Sequence, residues 1–154
     1  MKLLLLVLAL LPLAAVAQTI EETEKWIVSQ ANEQDNGGIR YSINGGDLES
    51  HWSFYGYVND RTIPIASIAE VSYSHTDKSL AFFFKCDDDC AYVSAKGSGE
   101  KKSTDSYSDL FMLEMNGKID PNMIPRMQKA FLHLIELHGG KAKLVPHQKK
   151  EETF

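Results

Sequence analysis

Apolar residues follow three different patterns along the chain, and each pattern predicts a different kind of element. An apolar run covers residues 3–13. Residues 19–36 and 121–138 repeat their apolar positions at helical spacing, which predicts two amphipathic helices. Between them, residues 39–115 alternate with period two in short runs separated by turn residues, which predicts antiparallel strands.

The first apolar run predicts a signal peptide over residues 1–17. Lys2 supplies the positive start, and the tripeptide 15–17 (Ala-Val-Ala) offers small residues to a signal peptidase. A membrane-spanning helix needs about 20 apolar residues, whereas this run is shorter and is interrupted by Pro12. Gln18 follows the cleavage site, where bacterial lipoproteins carry cysteine. We therefore expect an exported chain, periplasmic or secreted, without a transmembrane segment after cleavage.

The mature chain is predicted to be a single globular domain over residues 18–140. Thr19 and Glu22 have the spacing of a capping box, which predicts where the first helix begins. The second helix has one apolar stripe, which we expect to lie on the sheet. The stripe consists of Ile124, Met127, Phe131, Leu134 and Ile135. Residues 141–154 are charged and show no period, so they are interpreted as a flexible tail.

The central region predicts about six strands in sequence order, which favours an antiparallel meander. Residues 51–58 alternate as one strand and pair in a hairpin with residues 39–43. Residues 80–86 are the most apolar strand, with residues 90–96 as the expected partner. The predicted fold class is α+β: a strongly bent antiparallel sheet or partial barrel, with an N-terminal helix and a closing C-terminal amphipathic helix.

Two stretches carry a resemblance of pattern to a known superfamily. Residues 63–71 (Ile-Pro-Ile-Ala-Ser-Ile-Ala-Glu-Val) precede a hairpin, and residues 126–135 form the closing helix. Together they resemble the pleckstrin-homology-like superfamily and small exported bacterial domains of unknown function. The chain lacks the basic loop residues of phosphoinositide-binding members, because its turns read Asn-Gly-Gly-Asp and Asp-Asp-Asp. The resemblance therefore implies a fold and does not imply lipid headgroup binding.

Charge and composition narrow the classes of partner. The formal net charge is -5, and it becomes -6 once Lys2 leaves with the signal peptide. No basic cluster lies on any predicted element, which disfavours nucleic acid and anionic membrane surfaces as partners. No Asn-x-Ser/Thr triplet occurs, which together with the short leader favours a bacterial exported protein.

Cys86 and Cys90 enclose three aspartates and form the most distinctive local motif. An exported chain meets oxidising conditions, so we predict a disulfide that closes a hairpin turn. A pair of reduced thiols is the alternative. A zinc site would need two further ligands, and a calcium loop would need glycine and a trailing glutamate, neither of which the motif supplies.

No motif predicts catalytic residues, a cofactor or a metal ion. The sequence has no Gly-x-Ser-x-Gly, and its histidines lack the spacing of a ligand array. These histidines are His51, His75, His133, His138 and His147. We therefore predict a protein that is not an enzyme.

Aromatic residues exceed what one small core face needs, which makes them the candidate interaction surface. Either the N-terminal helix covers the second face of the sheet, or an aromatic strip remains for a ligand or partner. The leading hypothesis is a binding domain that engages an envelope or extracellular protein through an exposed sheet edge or through the aromatic strand face that contains Tyr55 and Tyr57. The alternatives are a carrier of a small apolar ligand in the barrel mouth beneath the closing helix, and an envelope enzyme whose site is built from scattered polar residues.

Overall fold

The computed structural model describes residues 19–33 and 37–147, which form an α+β fold with two helices and nine strands. The predicted signal peptide lies outside the described residues. The elements are α1 Ile20–Glu33, β1 Arg40–Asn44, β2 Asp47–Phe54, β3 Tyr57–Pro64, a 3-10 turn Ile65–Ser67, β4 Glu70–His75, β5 Ser79–Lys85, β6 Ala91–Lys96, β7 Thr104–Ser108, β8 Leu110–Asn116, α2 Met123–Leu137 and β9 Lys143–Leu144.

The strands form two sheets that do not close into a barrel. One sheet has the order β1-β2-β3-β6-β7, and the other has the order β8-β5-β4-β9. All neighbours are antiparallel except β4 and β9, which are parallel. The α+β class and the two terminal helices are confirmed. The expectation of one bent sheet with about six strands is wrong, because β5 pairs with β4 and β8 in a second sheet, whereas β6 and β7 extend the first sheet.

The hydrophobic core lies between the four-stranded sheet, α2 and one end of the five-stranded sheet. Along β5, Leu80, Phe82 and Phe84 are fully buried and alternate with more exposed residues, as the period-two pattern predicts. The ring of Phe131 on α2 lies 4.6 Å from that of Phe84. The predicted stripe of α2 is confirmed, since Ile124, Met127, Phe131, Leu134 and Ile135 are all buried.

Helix α1 begins at the predicted capping box and packs beside β1. The backbone N–H of Thr19 donates to Glu22 Oε2 at 3.0 Å, and the N–H of Glu22 donates to Thr19 Oγ1 at 3.2 Å. Near the end of α1, the Asn32 amide hydrogen-bonds both the N–H and the C=O of Tyr41, at 2.9 and 2.8 Å. At Tyr41, the Asn32 side chain therefore takes the place of a neighbouring strand on the free edge of β1.

The segment after α2 is part of the fold at least as far as residue 147. Lys143 N–H donates to the Ala69 carbonyl, and Val145 N–H donates to the Val71 carbonyl, each at 3.0 Å. The interpretation of residues 141–154 as a tail is thus wrong for residues 141–147. A two-residue strand is too short to leave a periodic pattern, so the sequence gives no signal for it. Residues 148–154 lie outside the described part of the chain.

Cys86 and Cys90 form the predicted disulfide, with Cα atoms 6.3 Å apart. The predicted hairpin around it is wrong, because β5 belongs to the four-stranded sheet and β6 to the five-stranded sheet. The bond therefore closes the corner where the chain passes between sheets. Period-two alternation marks a strand but does not identify its neighbour, which is why the two arrangements look alike in sequence.

Replacing both cysteines by alanine is expected to lower the free energy of unfolding by about 2 kcal/mol, the chain-entropy value for so short a loop. Urea denaturation of the wild type and of Cys86→Ala/Cys90→Ala measures the difference. Adding a reductant should bring the wild type to the value of the variant and leave the variant unchanged. Equal stabilities of the oxidised wild type and the variant would contradict this role.

Candidate functional site

A small cleft lies in the angle between the two sheets, on the opposite side of β8 from the core. We call it the inter-sheet cleft, and its volume is about 240 Å³. Its lining consists of Ile39, Tyr41, Ser50, Trp52, Asn59, Arg61, Met112 and Glu114.

The pairing of β2 with β3 determines which side chains form one wall of the cleft. Ser50 lies opposite Arg61, and Trp52 lies opposite Asn59. Cross-strand partners share a face, and alternation puts these four on the same face as the buried Leu48. This face of β2 and β3 is therefore part of the core at Leu48 and lines the cleft farther along the same strands.

Strand β8 supplies the second wall. Its residues Phe111, Leu113 and Met115 are fully buried in the core, so the alternate residues Met112 and Glu114 point to the other face. Their side chains reach the cleft rather than the core. One strand thus separates the hydrophobic core from the candidate site.

Tyr41 joins the two walls through its hydroxyl. The Tyr41 O–H donates to the Glu114 carbonyl at 3.2 Å, and the same oxygen accepts from the Glu114 N–H at 2.8 Å. Burial raises the pKa of Tyr41 to about 12, because the ionised phenolate would lose its hydration. The phenol therefore keeps its proton, and with it both hydrogen bonds to Glu114, into the alkaline range.

Two charged side chains line the cleft without pairing with each other. Arg61 Nε donates to Asn59 Oδ1 at 3.1 Å. Among the residues that the structure describes, no ion pair includes Arg61 or Glu114. Both residues are half-buried, and no buried side-chain nitrogen or oxygen in the described residues lacks a hydrogen-bond partner, so the charged atoms that are not hydrogen-bonded stay open to solvent.

Trp52 connects the cleft to an aromatic cluster at the turn between β2 and β3. We call this cluster the aromatic end, and it consists of Trp52, Phe54, Tyr55 and Tyr57. The Trp52 and Phe54 rings stack with centroids 6.2 Å apart, and Tyr55 meets Phe54 edge-on at 4.3 Å. The exposed fractions of Phe54, Tyr55 and Tyr57 are 57%, 82% and 50%. This end of the sheet therefore presents a patch of aromatic surface to solvent.

The structure places the two predicted interaction residues differently from the sequence analysis. Tyr55 and Gly56 form the two-residue turn, with φ of 45° and 83°, and Tyr57 begins the next strand opposite Phe54. Tyr55 and Tyr57 are both exposed, but they do not share a face of one strand as predicted. A turn with positive φ at both central residues usually carries Asn-Gly or Asp-Gly, so Tyr-Gly gave no turn signal.

Other titratable groups lie away from the cleft. His51 and Asp60 pair across β2 and β3 on the opposite face of the sheet, with Nδ1 and Oδ1 2.5 Å apart. His138 Nε2 lies 3.0 Å from Glu24 Oε1 and links the end of α2 to α1. Within residues 19–33 and 37–147, no group of three His, Cys, Asp or Glu side chains is arranged to hold a metal ion.

Comparison with known proteins does not identify a family or a function for the inter-sheet cleft or the aromatic end. The chain matches no protein-family model, and no curated protein sequence matches it at a significant level. In the described part of the chain, neither helix has the length and apolar character needed to cross a membrane.

Proposed function

We propose that this protein is an exported binding domain without catalytic activity, which engages an envelope or extracellular protein through the aromatic end. The observation that best supports this proposal is the state of Tyr55, which is 82% exposed and has a positive φ. The proposal that the protein is exported is supported by the signal-peptide pattern of residues 1–17. The resemblance to the pleckstrin-homology-like superfamily stays a prediction, and the proposed function does not depend on it.

The conformation of Tyr55 argues for a role beyond folding. A positive φ is unfavourable for a bulky side chain, and Asn or Gly would form the same turn with less strain. Among the described residues, the ring of Tyr55 meets the exposed ring of Phe54 edge-on, and 82% of Tyr55 remains exposed. Such strain is typical of residues that serve a binding site.

The chemistry of the aromatic end defines the partner that would fit it. Aromatic side chains dominate the binding energy of protein interfaces when they enter apolar pockets, and the Tyr hydroxyl adds a hydrogen bond. The expected partner is thus a protein surface with an apolar pocket that has hydrogen-bond acceptors at its rim. A carrier of apolar ligands beneath α2 is less well supported, since Phe131 packs there against Phe82 and Phe84.

Replacing Tyr55 by Asn separates folding from binding. We expect Tyr55→Asn to melt at the same temperature as the wild type or a few degrees higher, because Asn tolerates this backbone conformation. Binding should weaken by about 30-fold or more, as for loss of an interface anchor. Thermal denaturation and titration against the purified partner measure the two effects.

The partner is identified with a photo-crosslinking amino acid at position 55 in an exporting host. Asp77, which is exposed in the turn between β4 and β5 of the other sheet, is the matched control position. A protein crosslinked at 55 and not at 77 is then purified and titrated. Asp77→Asn should bind like the wild type. A large drop in melting temperature for Tyr55→Asn, or unchanged affinity, would contradict the proposal.

A further inference from the structure

We infer that the inter-sheet cleft binds a small zwitterion: a molecule with a carboxylate, a cationic nitrogen close to it, and an apolar or aromatic group. A free α-amino acid has this chemistry. The inference goes beyond the proposed protein contact, because it concerns the cleft between the sheets and not the exposed turn.

Two opposite charges face the cleft from different sheets. The guanidinium of Arg61 uses Nε for Asn59, and among the described residues its two terminal nitrogens form no ion pair. The Glu114 backbone bonds Tyr41, but its carboxylate forms no ion pair in the same part of the chain. No buried side-chain nitrogen or oxygen in the described residues lacks a hydrogen-bond partner, so the charged atoms that are not hydrogen-bonded are open to the cleft, where a ligand could replace water as their partner.

The combination of charges selects the ligand class. A simple anion would pair with Arg61 but would be repelled by Glu114, and a simple cation would have the reverse problem. A zwitterion directs its carboxylate to the guanidinium and its cationic nitrogen to the carboxylate. A guanidinium also presents a planar fork of donors that matches a carboxylate.

The rest of the lining accommodates an apolar group. Trp52 Nε1 already donates to the Gly37 carbonyl at 3.2 Å, so the indole offers the cleft its apolar surface. Met112 adds a flexible apolar wall from β8. The volume of about 240 Å³ is below the roughly 300 Å³ at which sites for drug-sized ligands begin, which favours a small metabolite.

Titration of the purified protein with three related probes tests this inference. L-Phenylalanine carries all three groups, phenethylamine lacks the carboxylate, and 3-phenylpropionate lacks the amine. We expect L-phenylalanine to bind with a Kd on the order of 0.1–1 mM and both analogues to bind about tenfold more weakly. NMR shift changes should centre on Trp52 and Met112.

Variants that neutralise one charge at a time test which side chain binds the carboxylate of the ligand and which binds its amine. Arg61→Gln should weaken the binding of L-phenylalanine about tenfold. Phenethylamine should bind this variant at least as tightly as the wild type, because the guanidinium that repels its ammonium group is gone. Glu114→Gln should weaken the binding of L-phenylalanine, whereas 3-phenylpropionate should bind this variant at least as tightly as the wild type, because the carboxylate that repels it is gone. Lys96→Gln is the matched control, because Lys96 is exposed on the opposite face of the first sheet, and it should bind like the wild type.

Equal affinity for the three probes, shifts outside the cleft, or an equal effect of Lys96→Gln would overturn the inference. If a cleft variant does not fold, the ranking of the three probes on the unaltered protein decides the question. The titration contains no partner protein, so its failure is distinguishable from failure of the aromatic end to bind one. Tyr55→Asn should retain the affinity for L-phenylalanine.

Discussion

Phe84→Ala is expected to lower the free energy of unfolding by about 3–5 kcal/mol, the usual range for removing a fully buried phenylalanine. Phe84 has no exposed surface and lies at the centre of the core. Its ring lies 4.6 Å from that of Phe131 and 6.3 Å from that of Phe111. Alanine would leave a cavity between α2 and both neighbouring strands, and urea denaturation would measure the loss.

Phe83→Ala is the matched control, because it removes the same side chain from the adjacent position on the other face of β5. Phe83 is half-buried and stacks on His147 with ring centroids 4.4 Å apart. Removing it should cost about 1–2 kcal/mol, because only part of the ring is buried and its stacking contact is with a side chain near the surface. Equal losses for the two variants would mean that the core does not lie on the Phe84 face.

The contrast between these neighbours shows what the sequence predicts well. Alternation along residues 80–86 identifies Phe82 and Phe84 as one face and Phe83 as the other, because the side-chain period of a strand is two. The spacing of Ile124, Met127 and Phe131 identifies the buried stripe of α2 in the same way. Such local periodicity survives in any tertiary arrangement.

Strand pairing could not be predicted from the same pattern. The strand after Cys90 looks equally regular as a partner of β5 or of β3, and only the complete set of pairings decides. Tyr55-Gly56 also escaped prediction, because its residues are not those that normally form such a turn. Tyr55, on which the proposed function depends, was therefore predicted to lie in a strand although it lies in a turn. Departures of this kind from local sequence preferences are expected at functional positions.

The cleft was missed for a related reason. Arg61 and Glu114 come from different sheets, so nothing in their sequence neighbourhood connects them. One signal was available: Arg61 stands two residues before Ile63, which is fully buried, and so lies on a face that begins as core. A charged residue at such a position indicates that this part of the strand face is not buried in the core. It does not indicate which residues of the other sheet lie opposite.

Tyr41→Phe is expected to lower the free energy of unfolding at neutral pH by about 2–4 kcal/mol. The substitution keeps the ring but removes the oxygen that bonds both backbone groups of Glu114. Each buried group that loses its partner costs about 1–3 kcal/mol. Tyr107→Phe is the control, since that hydroxyl belongs to a side chain that is 67% exposed, and it should leave stability nearly unchanged. No loss for Tyr41→Phe would show that water replaces the phenol between the sheets.

Alkaline pH provides an independent test of the same link. Burial raises the pKa of Tyr41 from 10.0 to about 12, so between these values the folded protein retains a proton that the unfolded chain has released. Stability therefore falls as pH rises through this window, by about 1.4 kcal/mol per pH unit from this one group. Tyr41→Phe lacks the proton and should lose less stability over the same range. The difference between wild type and variant should thus shrink from pH 10 toward pH 12, and a constant difference would mean that the phenol ionises freely in the folded protein.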